Sequence, residues 1–474
     1  MNDKVLELAR RILARAEPSR PLDLLREPGV AVTGLPEAWN EGIRSFYEML
    51  APGEGDRRCV GTACRFARGE LAGQVTAAGL GPQVRCLGRC FEAPAEKGWG
   101  GPIPVRSLAA SPVVLRHVLA RDPGSVWADY DLPDGPAILA AVEACGLRGR
   151  GGAAYPTASK WKVARDTPAS DRIVVANGDE GDPGAFVDRL LLEESPHAVL
   201  AGLVACAGAI GAGRAILYIR AEYPLAFARA KSAVDEATAR GVLGRLRLEV
   251  LMGAGSYVAG EETALLRSIE GLRAEPSPKP PYPAESGLFG LPTVVQNIET
   301  LSVVPWIARG GRWADTKAVC VSGAVARPGV VEAELGTPLR RILEEGCGGP
   351  REGAAWKMAL IGGPLGRVVA ARDFDVPLSF DALPGMGHAG IVVFDESVRV
   401  RALVEHLFEF ARGESCGNCT PCRVGTSRLT TCRSRGALER LMMTLEEGSL
   451  CGFGQGVPRP LRDLLAAFGD EVFG

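Results

Sequence analysis

Between residues 112 and 310 the chain alternates two hydrophobic rhythms. Short apolar runs, RIVVAN at 172–177, RAILYIR at 214–220 and LRLEVLM at 246–252, are separated by stretches with helical spacing, PHAVLAGLVACAGAIGA at 196–212 and PLAFARAKSAVDEATARG at 224–241. Strand-type runs alternating with helix-length segments predict a mostly parallel sheet covered by helices. From 316 to 396 the runs AVCVSGAV, KMALIGG and AGIVVFD, with the helix-like PLRRILEEG after the first, predict a small α+β unit. From 398 onward VRALVEHLFEFARG, GALERLMMTLEEG and RPLRDLLAAFG predict a helical bundle with short connections. At the start, LELARRIL predicts a helix ended by Pro18 and Pro21. Residues 56–95 then read strand, helix, strand in RRCV, ACRFARGELAGQVTAAG and QVRCLGRC, and the Gly/Pro stretch EKGWGGPIP marks a boundary. The pattern divides a multidomain α/β chain at 1–50, 51–100, 101–312, 313–397 and 398–474. A stiff proline-rich loop, PSPKPPYP, interrupts it at 276–283.

Length agrees with that division, since 474 residues exceed one ordinary core. A net charge of -2 gives no bulk attraction to nucleic acid or to a membrane surface. No apolar signal region opens the chain, and Asp3, Glu7 and Glu17 argue against a mitochondrial presequence. No apolar run reaches the length of about 18 residues that a membrane span needs. The expected location is the cytoplasm.

Cysteine changes the picture. There are 13, an odd number, and without an export signal a disulfide framework is not expected. Eight fall into two clusters, while Cys145, Cys206, Cys320, Cys347 and Cys432 are scattered and read as small apolar core residues. In GESCGNCTPCRVG, Cys416, Cys419 and Cys422 are spaced by two residues each, which brings successive thiolates to one centre through a tight loop. Cys451, between glycines in GSLCGFG, is the candidate fourth ligand. Cys432 lacks a glycine turn and ranks below it. Four thiolates fit a [4Fe–4S] cluster or zinc, and a CxxCxxC run favours the cluster. Cys59, Cys64, Cys86 and Cys90 form a second set of four, enough for a [2Fe–2S] centre.

Four further segments carry candidate chemistry. GLRGRGGAAYPTASKW at 146–161 is a glycine-rich loop whose amides can cradle a phosphate, with Arg148, Arg150 and Lys160 as counter-charge. It lacks the strand–turn–helix setting of a dinucleotide fingerprint. VVANGDEGDPGAFVDR at 174–189 ends a strand with Asp179, Glu180, Asp182 and Asp188, and carboxylates at a strand end read polar ligand edges. GAGSYVAGEETALLRSIEG at 253–271 leads a glycine turn into a helix that starts with acids, which helix capping alone also explains. LPTVVQNIETL at 291–301 is the fourth.

Together these segments resemble the flavoprotein family of complex I and of the hydrogenase and formate dehydrogenase diaphorases, from about residue 140 to the end. RCVGTAC and CLGRCFEAP are similar to the thioredoxin-like [2Fe–2S] domain of the small partner subunit of respiratory NADH dehydrogenases, here trimmed, with 21 residues between the two cysteine pairs. The resemblance implies a Rossmann-like FMN- and NAD-binding domain, a small β-grasp-like (SLBB-type) domain and a [4Fe–4S] cluster in the C-terminal bundle. It implies that Gly149, Arg150, Gly151, Gly152 and Lys160 meet the FMN phosphate. It also implies flavin and ribityl contacts from Asn177, Asp179, Glu180, Tyr257, Gly260, Glu261, Gln296, Asn297 and Thr300. NAD(H) is expected to stack near Tyr155 and Tyr282, with Lys279, Asp182 and Glu262 as polar neighbours. The family often has Phe where these tyrosines stand, and Val163 replaces an aromatic residue.

The implied function is hydride exchange between NAD(H) and FMN, followed by one-electron transfer to iron–sulfur clusters. Hydride transfer needs no general acid or base, so no catalytic residue is assigned beyond the FMN-positioning Glu180 and Glu262. His388 and the other histidines read as structural. A carboxylate at Asp182 favours NAD over NADP. The form NGDEGDPGAF points to an NAD-linked formate dehydrogenase or hydrogenase, with the respiratory NADH:quinone oxidoreductase subunit as the alternative. The expected partners are an iron–sulfur relay subunit and a catalytic subunit, with no nucleic acid.

Overall fold

The computed structural model describes residues 37–47, 58–73, 83–95 and 101–473, apart from 121, 123 and 433. The helix expected at LELARRIL lies outside the described residues. The N-terminal cysteine region pairs two short parallel strands, β1 (Arg58–Cys59) and β2 (Gln83–Val84). Of the helix expected over 63–79, the described residues form Thr62–Ala67 and a single 3-10 turn at Glu70–Ala72, and 74–79 lie outside the described residues. Gly69 breaks it by taking a left-handed conformation at φ 71°.

Next comes β3 (Val105–Ser107). It belongs to a six-stranded sheet completed much later by β8 (Thr316–Gly323), β9 (Gly329–Glu334), β10 (Trp356–Ile361), β11 (Arg367–Ala370) and β12 (Gly390–Asp395), in the order β11-β10-β12-β8-β9-β3. A boundary at 101 therefore puts β3 in the wrong unit. Three residues carry too little hydrophobic pattern to show which sheet they join, and only the parallel pairing with β9 decides it. Glu332 secures the join by accepting the backbone N–H groups of Val113, Val114 and Leu115 at 2.7–2.9 Å. PLRRILEEG forms a helical turn at Leu339–Arg341 that runs into a π-helical turn at Ile342–Gly346.

Between these pieces lies the four-stranded sheet: β4 (Ile173–Gly178), β5 (Arg214–Ile219), β6 (Arg247–Met252) and β7 (Thr293–Asn297). The order is β6-β5-β4-β7 and every pairing is parallel. Strand alternation supplies the layers. Val174, Ala176, Leu217 and Ile219 face a core shared with helices Gly135–Ala144, Pro196–Ile210 and Ile298–Ala308. Ile173, Val175, Ile216 and Tyr218 face the opposite way, against Leu265, Leu266 and Ile269 of helix Glu262–Ile269. Two covering helices nearly touch at Gly202, where a Cβ would lie 2.0 Å from the Leu301 carbonyl oxygen. Among the described residues no single helix is long and apolar enough to cross a membrane.

The C-terminal part is the expected bundle, with helices Val400–Glu414, Thr420–Leu429, Arg435–Gly448, Gly452–Gly456 and Pro458–Phe468. The N-terminal cysteine region docks on the first of these. Thr62 Oγ1 lies 3.0 Å from His406 Nε2, and Arg65 pairs with Glu409 at 2.9 Å.

Candidate functional site

The four-stranded sheet reverses its winding between β4 and β7, since β5 and β6 build outward from one side of β4 and β7 adds to the other. In open parallel sheets ligands bind outside the carboxyl ends of the strands at such a switch point. The segments singled out above converge there. Asn177 is the penultimate residue of β4, and its Nδ2 donates to the Gly260 carbonyl at 2.9 Å. Asn297 ends β7 and caps the following helix by accepting from Thr300 N–H at 3.2 Å. The glycine loop lies between two helices and closes on itself through Gly149 N–H to Tyr155 O at 2.9 Å. A Cβ on Gly151 would lie 3.0 Å from Asn297 Cβ, so the loop sits directly on the end of β7. A Cβ on Gly149 would lie 3.6 Å from the Tyr155 carbonyl oxygen and 3.9 Å from Gln296 Nε2, so this glycine packs at ordinary contact between the loop and β7.

Arg150 departs from the sequence expectation. Its backbone N–H donates to Thr300 Oγ1 at 2.8 Å, but its guanidinium turns inward, pairs with Asp315 and lies 5.2 Å from the Trp313 ring centroid. What Arg150 offers an anion is a loop position and a nearby positive charge. Its Nε and Nη1, and Thr157 Oγ1 at the start of the next helix, are buried without a hydrogen-bond partner. Of these, Thr157 Oγ1 borders the loop, whereas the Arg150 atoms point away from it toward Asp315 and Trp313.

On the other wall, Lys160, Glu262, Lys279 and Glu261 form a chain of ion pairs at 3.4, 2.8 and 2.8 Å. Glu261 also caps its helix by accepting from Thr263 and Ala264 N–H. The capping and ligand readings of these acids are therefore compatible. Tyr155 and Tyr282 are 52% and 54% exposed, free ring surface of the kind a base can stack on. Val163 is also exposed.

The acidic loop after β4 is largely buried, with Asp179 and Asp182 partly exposed. Glu180 is closed off from solvent and accepts the N–H groups of Val187, Asp188 and Arg189 at 2.7–3.1 Å, so it caps helix Val187–Glu194 from seven residues upstream. Glu180, Asp188 and His388 bring ligand atoms within 4.8 Å of one another. Asp188 accepts from Asn297 Nδ2 at 2.8 Å, and burial pushes it far above the usual carboxylate range. Tyr257 OH donates to Asp182. Burial pushes Asp182 up to about 6 and Asp179 up to about 8.

A carboxyl whose folded pKa exceeds its unfolded value of about 4 binds more protons in the folded state between the two values. Its stabilising contribution is present below the unfolded value and is lost as pH rises through the folded one. The flavin-free chain is therefore expected to melt several degrees lower at pH 8.5 than at pH 5, and Asp179→Asn is expected to flatten the upper part of that fall. Differential scanning calorimetry across this range checks it, and a melting temperature that rises with pH refutes the sign.

Both cysteine quartets assemble. Cys59, Cys64, Cys86 and Cys90 are all at most 3% exposed. Cys86 and Cys90 Sγ lie 3.7 Å apart, and the Cys59 thiol is pushed up chiefly by contact with Cys64. Cys86 Sγ accepts from Gly88 N–H at 3.3 Å and Cys64 Sγ from Ala95 N–H at 3.2 Å. In the bundle, burial pushes Cys422 up to about 12, with the Cys419, Cys451 and Cys416 thiols adding to it. Cys451 caps its helix and faces this trio, whereas Cys432 Sγ points to the Ser434 carbonyl at 3.6 Å. A lone tetrahedral zinc needs all four sulfurs about 3.8 Å apart. Among the described residues, only Glu180, Asp188 and His388 bring three or more such ligand atoms mutually within 4.8 Å. Four thiolates in each quartet are the donor set that an iron–sulfur cluster takes.

Two groups that join these parts carried no signal in the sequence. Arg220, at the end of β5, donates to the Glu180 carbonyl and, at 3.0 Å, to the Cys86 carbonyl. Glu414 accepts from Arg85 Nε at 3.0 Å and from Tyr257 N–H at 3.2 Å. The arginine and the carboxylate sit in ordinary helix- and strand-end contexts, so nothing local distinguishes them.

Comparison with known proteins agrees with this architecture. Residues 142–306 match the Nuo51 FMN-binding domain, 318–369 the SLBB domain, and 402–473 the NADH-ubiquinone oxidoreductase-F iron-sulfur binding region. The NADP-reducing hydrogenase subunit HndC of Solidesulfovibrio fructosivorans is 38% identical, over 70% of this chain and 75% of its own. An NADH-quinone oxidoreductase subunit of Rhizobium meliloti is 37% identical, over 76% of this chain and 96% of its own. A crystal structure of NAD+-reducing [NiFe]-hydrogenase in the air-oxidized state superposes with a TM-score of 0.81 at 31% identity, covering 98% of this chain and 92% of that one. The glycine loop at the β4/β7 switch point, the cysteine quartet in the C-terminal bundle and this similarity together show that the chain belongs to the family of flavoprotein subunits shared by NADH-quinone oxidoreductases and NAD(P)-reducing hydrogenases.

Proposed function

We propose that this chain is the NAD(H)-oxidising or NAD+-reducing subunit of a multisubunit redox complex, holding FMN at the β4/β7 switch point and passing electrons to its own clusters. The observation that carries the reading is the convergence of four separate segments on one strand-end crevice, with a cysteine quartet attached to each side through Arg220 and Glu414. Bound FMN supplies the conversion between a two-electron hydride and single electrons.

The chain's own residues orient and shield. The loop Gly149–Gly152, with Lys160, receives the phosphate. Asn177, Asp179, Glu180, Tyr257, Gly260, Glu261, Gln296, Asn297 and Thr300 surround the ring and ribityl chain. Tyr155 and Tyr282 offer stacking faces to the dinucleotide, whose polar edges meet Asp182, Glu262 and Lys279. Holding donor and acceptor in one geometry is the main contribution that a protein makes to a hydride step. Cys416, Cys419, Cys422 and Cys451 ligate a [4Fe–4S] cluster, and Cys59, Cys64, Cys86 and Cys90 a [2Fe–2S] cluster. The domain division, with its trimmed thioredoxin-like module, is part of this reading.

A hydrogenase or formate dehydrogenase setting in the cytoplasm, with an iron–sulfur relay and a catalytic subunit as partners, is favoured by NGDEGDPGAF. Support also comes from the structural likeness over 98% of the chain, which includes the N-terminal cysteine region. The respiratory quinone oxidoreductase is the second reading, favoured by the match over 96% of the Rhizobium meliloti protein.

Anaerobic purification with flavin, iron, zinc and sulfide analysis tests the reading. About one FMN and six irons per chain are expected, with [2Fe–2S] and [4Fe–4S] EPR signals after NADH addition. Four irons with FMN would leave the N-terminal module as a docking domain. Zinc without flavin would overturn the proposal.

A further inference from the structure

Tyr257 is where three parts of the chain meet. Its backbone N–H donates to Glu414 Oε2 at 3.2 Å and its phenol donates to Asp182 Oδ1. Its ring stands edge-on to Phe410, 5.1 Å between centroids, and to Phe453 at 5.6 Å. Phe410 and Glu414 belong to helix Val400–Glu414, which ends two residues before Cys416, and Phe453 follows Cys451 by two residues. The other Glu414 oxygen accepts from Arg85 Nε at 3.0 Å, and Arg85 immediately precedes Cys86. The approach is close: a Cβ on Gly413 would lie 2.1 Å from Arg85 Nη2. Glu414 is 8% exposed, so water competes little for either bond.

We propose that Glu414 is a positioning residue for nicotinamide binding: it holds Tyr257, and through the phenol Asp182, in the binding arrangement, and Arg85 makes that hold depend on the docked N-terminal cysteine module. The proposal rests on the placement of NAD(H) beside Asp182. A carboxylate clamped by a guanidinium on one oxygen and a backbone N–H on the other has little freedom to move. With its phenol committed to Asp182, Tyr257 transmits that rigidity to a carboxylate that faces the dinucleotide. Without Arg85, Glu414 regains rotamer freedom and the Tyr257 backbone loses a fixed acceptor. The effect falls on binding, because Glu414 touches no reacting atom.

The test uses the full FMN- and iron-loaded chain in its oxidised state, titrated with NAD+ by calorimetry. Glu414→Gln is expected to weaken NAD+ binding about fivefold and Tyr257→Phe about tenfold, while the double variant stays within about twofold of Tyr257→Phe alone. In steady state, Glu414→Gln raises the KM for NADH more than it lowers kcat with ferricyanide, the split expected when binding rather than the chemical step is lost. Glu409→Gln is the control, since Glu409 lies on the same helix and pairs with Arg65 of the same module. It is expected to leave NAD+ affinity unchanged.

Equal weakening by Glu409→Gln, multiplicative losses in the double variant, or unchanged affinity in Glu414→Gln would each overturn the proposal. Should Glu414→Gln lose iron or flavin, Arg85→Gln tests the same link from the other side. About threefold weaker binding is then expected, and none refutes it. A wild-type chain that carries FMN but binds no NAD+ would sink the functional reading itself. A wild type that binds normally, with independent variants, sinks only the positioning role.

Discussion

Cys451→Ala is expected to remove about four irons per chain and to lower electron delivery to a partner more than a hundredfold, while leaving FMN bound and NADH–ferricyanide activity largely intact. Cys451 is the one proposed ligand of the bundle quartet outside the CxxCxxC run, and it lies in the loop between helices Arg435–Gly448 and Gly452–Gly456. Its position at the start of a short helix aims the side chain at the trio, and the Leu450 N–H lies 3.5 Å from Cys419 Sγ, so the loop already touches the other ligands. A three-thiolate site cannot hold a cubane with the same strength, and the ferricyanide assay separates this loss from damage to the flavin. Iron analysis and EPR after NADH addition read the result. Cys432→Ala is the control and is expected to keep all iron. If the two variants exchange behaviour, the fourth ligand is Cys432.

Glu180→Ala is expected to cost about 3–5 kcal/mol in the stability of the central domain and to lower FMN retention at least tenfold. Glu180 satisfies three backbone N–H groups and accepts from Tyr223 OH at 3.3 Å, all within a buried site. Alanine leaves those donors without an acceptor and without water. The consequence reaches the flavin, because the cap shapes the loop that carries Asp179 and Asp182. Glu180→Gln keeps an acceptor oxygen and is expected to fall between alanine and wild type. Flavin fluorescence after desalting and thermal melts measure both effects. Full flavin retention in the alanine variant, with a melting temperature within about a degree of wild type, would show that Glu180 carries no such load.

The architecture was legible wherever the signal is local. Strand-length apolar runs and helical spacing placed β4, β5, β6, β8, β10 and β12 and the three long bundle helices, because side-chain periodicity follows directly from backbone geometry. The CxxCxxC run, the strand-end carboxylates and the glycine loop were visible for the same reason, each being a cluster within a few residues. Sequence pattern overextends the short helix Thr62–Ala67, since a glycine inside a helix-like pattern shows its left-handed turn only when folded.

Tertiary structure decided the rest, in each case through contacts between residues far apart in the chain. It assigned β3 to the later sheet by its pairing with β9, turned the Arg150 guanidinium away toward Asp315, and placed Cys451 beside Cys422. It also brought Arg85, Glu414, Tyr257 and Asp182 into one chain of bonds. The sequence by itself thus determined which segments carry candidate chemistry, because spacing sets what a loop or strand end can present. Which side chains face one another across the cleft followed only from packing, because a hydrogen bond between residues 85 and 414 leaves no periodic trace in either segment.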